Sequence, residues 1–145
     1  MHKIAVKRKV KVYYKCLLPD EESFIASYND EAYIYLDIQL NGNDEVRRLA
    51  HEVGHDFVGI REQSTPEWLA DMYENRANDW AATYLIPQDD FINVLSNTFI
   101  RCEAEAAEEL GVDIETLLRA IEYYRKKGLP VRQCEVITDW RQLSC

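Results

Sequence analysis

The chain has 145 residues, 47% of them apolar and 30% charged, enough for one core that hides about 68–70% of the unfolded surface. Twenty-six acidic residues against 17 basic ones give a formal charge of −9, which disfavours electrostatic attachment to nucleic acid or anionic lipid over most of the surface. No apolar run approaches the length of a membrane span, and no apolar h-region follows the basic start, so the expectation is a single cytoplasmic domain over residues 1–145, neither membrane-spanning nor exported.

In chain order, the first 15 residues carry six basic side chains and no acid. Ile4, Val6, Val10, Val12 and Tyr14 share one parity and Lys3, Lys7, Lys9, Lys11 and Lys15 the other, the period of a half-buried strand. Its lysine face reads as a solvated surface that discourages edge pairing, or as a docking edge for an acidic or nucleic-acid-bound partner. Phe24–Tyr28 and Ala32–Leu40 read as a hairpin turning at Asn29, Asp30 and Glu31. In its second strand Ala32, Ile34, Leu36, Ile38 and Leu40 face the core, while Tyr33, Tyr35, Asp37 and Gln39 face solvent or a cleft.

Helical spacing of Val46, Leu49, Ala50, Val53 and Phe57 predicts a helix from Asp44 to about Val58, capped by Asn43 or Asp44 and stopped by Gly59. A second runs from about Pro66, capped by Ser64 or Thr65, to Ile86, where Pro87 ends it. A short helix follows over Gln88–Leu95, then helices over 99–110 and 114–127, closed by Gly111 and Gly128. The tail from Val131 to Trp140 reads as strand or coil. Cys16, Cys102, Cys134 and Cys145 are widely spaced without a CxxC pair and read as four free thiols. The fold class is α+β: a small antiparallel sheet, two long helices and a C-terminal helical pair.

The first long helix contains His51-Glu52-Val53-Gly54-His55. Residues four apart differ by about 40° of net rotation on a helix, so both imidazoles leave one face and can meet one metal ion. Glu52 lies beside that face and can reach a water without ligating the metal, as a general base does. A catalytic zinc ordinarily takes three protein ligands and keeps one position open. His2 has no ligand-spaced companion. Glu74, with Glu67, Asp71 and Asp79 as acidic neighbours, sits on the next helix and could complete a two-histidine, one-carboxylate set. Asn78, one turn on, could hold a ligating imidazole in one tautomer. Two imidazoles and a carboxylate suit Zn2+. For an oxyanion donor the sequence leaves Tyr33, Tyr35, Tyr73, Tyr84 and Arg76 open.

These residues resemble the ImmA/IrrE family of metallopeptidases of bacteria, prophages and mobile elements, over roughly residues 28 to 127. The resemblance rests on Leu49-Ala50-His51-Glu52-Val53-Gly54-His55, on Glu74-Asn75-Arg76-Ala77-Asn78-Asp79-Trp80-Ala81-Ala82 leading to Leu85-Ile86-Pro87, and on the stretch from Glu105 to Tyr124. It implies a compact zincin-like domain with His51, His55 and Glu74 as zinc ligands and Glu52 as the catalytic acid/base. It further implies a protein substrate, a helix-turn-helix repressor of the phage type, whose cleavage or inactivation relieves repression.

Two other readings compete. A non-catalytic antirepressor would keep the metal as structure and act by binding, but has no use for Glu52. A DNA-reading helix-turn-helix over 99–127 is opposed by five basic against seven acidic residues in that span. No direct contact with nucleic acid is expected.

Overall fold

In the computed structural model, which describes residues 10–59, 64–97 and 99–129, three strands precede five helices, and the architecture is α+β. The strands are β1 (Val10–Lys15), β2 (Ser23–Tyr28) and β3 (Glu31–Asp37). The helices are α1 (Gly42–Val58), α2 (Glu67–Leu85), α3 (Gln88–Leu95), α4 (Glu103–Leu110) and α5 (Ile114–Lys126). Ile4, Val6 and the tail from Val131 lie outside the described residues.

Asn29 and Asp30 take φ of 49° and 62°, the left-handed pair that a two-residue type I′ turn requires, so β2 and β3 close as a hairpin with Tyr28 opposite Glu31. The sheet order is β1-β3-β2. β1 runs parallel to β3, with Val10 opposite Ala32 and Lys15 opposite Asp37, so the sheet is mixed and the expected all-antiparallel arrangement is wrong. Parity fixes which face of a strand is buried; it carries nothing about strand direction. Here the stretch after β1 leads to the far edge of the sheet, and the hairpin returns β3 into the middle alongside β1.

One face of the sheet is core. Ile34 and Leu36 are fully buried, Val10 nearly so, and they pack with Leu49 and Val53 of α1, joined by Val12, Ile25 and Leu40. β3 stops at Asp37 because its carboxylate turns the chain, accepting from the backbone N–H groups of Gln39 (2.8 Å) and Leu17 (2.9 Å). Ile38 is therefore 60% exposed instead of facing inward. Tyr14, at the end of β1, is also exposed and donates from its hydroxyl to Glu45 (2.7 Å), tying β1 to the start of α1. On the opposite face Tyr35 stacks between Tyr13 (5.6 Å) and Phe24 (4.8 Å), with Lys15 over its ring and Lys11 over that of Tyr33. The lysine side chains of β1 thus cover aromatic surface.

The chain divides into two compact units, Met1–Ala81 and Ala82–Cys145. In the second, Phe91, Leu95, Leu117 and Ile121 form a buried core, and the Tyr124 hydroxyl donates to the Ile86 carbonyl (2.6 Å). Asp113 caps α5 by accepting from the Thr116 amide, and Gly111 ends α4 at φ 68°. α4 starts at Glu103, not at 99. The Asn97 side chain accepts from the Phe99 amide (3.0 Å) and its carbonyl from the Ile100 amide (3.2 Å), a turn that holds those residues out of the helix. Cys16 is a free, exposed thiol, but Cys102 is buried and disulfide-bonded, correcting the reading of four free thiols. Disulfides follow proximity in the fold, which sequence spacing does not report. No helix among the described residues is long and apolar enough to cross a membrane.

The hairpin turn gives a direct test. Asp30→Gly places the residue that left-handed backbone favours most at φ 62°, and should raise stability by roughly 0.5 kcal/mol in a urea melt.

Candidate metal centre

The donors begin with helical geometry. His51 and His55 stand one turn apart on α1, their rings edge to face with centroids 4.6 Å apart and their Nε2 atoms 3.1 Å apart. α2 brings Glu74 to the same point: one carboxylate oxygen lies 3.3 Å from His51 Nε2 and the other 3.1 Å from His55 Nε2. What lets α2 come so near is Gly54. A Cβ there would sit 2.7 Å from the Ala77 carbonyl oxygen, so the two backbones meet at a spot where neither helix has side-chain bulk. Phe57 stacks on Trp80 at 4.6 Å on the same pair of helices, and Tyr73 of α2 lies 3.1 Å from where a Cβ on Gly59 would be.

Proton placement decides what this cluster can do. The Asn78 side-chain oxygen lies 2.7 Å from His51 Nδ1, and the Gly59 carbonyl oxygen 3.4 Å from His55 Nδ1. Both oxygens can accept from an Nδ1 hydrogen, and in the neutral tautomer that carries it each Nε2 keeps a lone pair. In that tautomer two imidazole lone pairs and a carboxylate face one another, an arrangement that a cation at the centre would relieve. His51, His55 and Glu74 could hold a metal ion. Ligands about 2.0–2.1 Å from a tetrahedral zinc are separated by roughly 3.3–3.4 Å, close to the spacings here.

Glu52 is next in sequence to a donor but stands outside the convergent set. It is 5% exposed, and the Ser23 hydroxyl at the start of β2 donates to its Oε1 (2.6 Å). Burial pushes its carboxyl above the usual range, against the opposing pull of the Ser23 hydrogen bond and the two histidines. A cleft of about 320 Å³ opens over His51, Glu52, His55 and Glu74, walled by residues 20–25 and Arg48. Glu22, on that wall, ion-pairs with Arg48.

Of the sequence candidates, His51, His55, Glu74 and Asn78 come together and Glu52 lies beside them. None of Tyr33, Tyr35, Tyr73, Tyr84 and Arg76 lines the cleft. The rest of the cleft lining escaped the sequence reading, Arg48 and Ser23 among it. Arg48 was legible, because it precedes His51 by three and Glu52 by four and so shares their helix face. Ser23 carried no signal, since its nearness to Glu52 depends on sheet register.

No family model, curated protein or solved structure matches the chain.

The crossing at Gly54 predicts its own failure. Gly54→Ala must push α2 off α1 and should cost about 1–3 kcal/mol of stability while weakening any metal binding at the site, read by thermal melts with and without added zinc and by competition with a chelating dye. A variant whose metal affinity equals the parent's would show that the close approach does not set the site.

Proposed function

We propose that the chain is a zinc-dependent endopeptidase built on a zincin-like domain, acting in the cytoplasm on a helix-turn-helix repressor of the phage type and so relieving repression. The observation that carries the reading is the convergence of three donors, His51, His55 and Glu74, beside a buried carboxylate that is not one of them. A site that used the metal only as structure would need the three donors and would have no role for Glu52. The ImmA/IrrE resemblance of the sequence points the same way.

Bound to the three donors, zinc would supply Lewis acidity, polarising a peptide carbonyl and lowering the pKa of a water toward 7. Glu52 takes the proton of the attacking water and passes it to the leaving amide nitrogen, and a carboxyl raised by burial is suited to both transfers. Arg48 lines the cleft and carries the donors that a developing oxyanion needs. Asn78 keeps the His51 lone pair aimed inward through Nδ1. Among the described residues β2 is hydrogen-bonded only to β3, so an extended peptide can add to its outer edge along the cleft. Asp20, Glu21 and Glu22 give that wall a negative sign, suited to a substrate segment carrying lysine or arginine.

The test pairs metal content with cleavage of a helix-turn-helix repressor of the phage type. Wild type should hold about one zinc, Glu74→Ala should lose it, and Glu52→Gln should keep it while cleavage falls about 10²–10⁴-fold. Relief of repression by wild type with zinc bound and no fragment formed would make the protein a binding antagonist instead.

A further inference from the structure

The Glu52 carboxylate is held by one side chain that the helix motif does not contain. Ser23 Oγ lies 2.6 Å from Glu52 Oε1, within the range of a hydroxyl donating to a charged carboxylate. The described residues offer Oε2 no hydrogen bond. One oxygen is therefore anchored and the other is free.

The anchor is itself fixed by the sheet. Ser23 opens β2 opposite Leu36, which is fully buried, and the neighbouring Glu22 carbonyl accepts from the Asp37 amide (2.9 Å). Ser23 shares its parity with Ile25, which packs on the core under α1, so the hydroxyl faces the helix that carries Glu52. Slipping β2 by one residue would turn it to the opposite face.

We propose that Ser23 is the positioning residue for Glu52: its hydroxyl holds Oε1 so that Oε2 is presented to the open side of the metal centre. This rests on the peptidase reading of the same site. It also puts the orientation of the general base under the control of the edge strand, outside the HExxH helix.

Acetohydroxamate is a suitable probe, because it ligates a zinc through its two oxygens and hydrogen-bonds to a neighbouring carboxylate, and it needs no knowledge of the natural substrate. Zinc content and acetohydroxamate affinity are measured for wild type, Ser23→Ala, Ser23→Thr, Glu52→Ala and the Ser23→Ala/Glu52→Ala double variant. We expect every variant to keep its zinc. Ser23→Ala should weaken the probe about tenfold, Ser23→Thr should restore it, and Ser23→Ala should add nothing once Glu52 is alanine. Wild-type affinity in Ser23→Ala, with the probe still weakened by Glu52→Ala, would overturn the role of Ser23 and leave the peptidase reading standing. Equal weakening by Ser23→Ala with and without Glu52 would also overturn it, showing a general effect of the strand. A wild-type chain that holds no zinc, or a Glu52→Ala variant that binds the probe unchanged, would remove the peptidase reading and this role together.

Discussion

Where α1 crosses α2, the backbone at Gly54 lies against the Ala77 carbonyl, too close for any side chain to intervene. The candidate metal centre depends on that contact. Glu74 sits almost one turn before Ala77 and Asn78 directly after it, while His51 and His55 flank Gly54 on the other helix. A crossing this tight delivers a carboxylate and an amide to the two imidazoles at once, one toward the Nε2 lone pairs and the other to His51 Nδ1. Sliding or lifting α2 by the width of a methyl group would pull both away together.

The remainder of the first unit keeps α1 in place for this. Ile34 and Leu36 on the central strand bury Leu49 and Val53, so the helix face opposite the sheet is left for the histidines and α2. The sheet also reaches the site directly, since β2 forms one wall of the cleft and Ser23 touches Glu52. Burial of Glu52 comes from this sandwiching, and with it the upward shift of its carboxyl.

Much of this was legible because helical geometry is local. The i, i+4 spacing of His51 and His55 fixes their convergence whatever else the chain does, and one antiparallel return places Glu74 and then Asn78 a turn later. The Asn29-Asp30 turn was equally readable, as was the parity of β3. What the sequence concealed depends on partners far along the chain. The direction of β1 follows from which edge β2 occupies, and the disulfide at Cys102 from a tertiary approach. Ser23 comes to Glu52 only through the register of β2 against β3, across 29 positions of sequence. The stop at Asp37, which leaves Ile38 exposed, was missed for a different reason: a run of alternating apolar residues masks a carboxylate that captures the backbone amides around it.

His51, His55 and Glu74 converge on one point that could hold a metal ion, and X-ray absorption at the zinc edge of the zinc-loaded, purified chain tests that most directly. It should show about one zinc per chain, with nitrogen and oxygen neighbours at roughly 2.0–2.1 Å, outer-shell scattering from two imidazoles and no sulfur. A chain that retains no zinc, or a first shell containing sulfur at about 2.3 Å, would contradict a centre made of His51, His55 and Glu74.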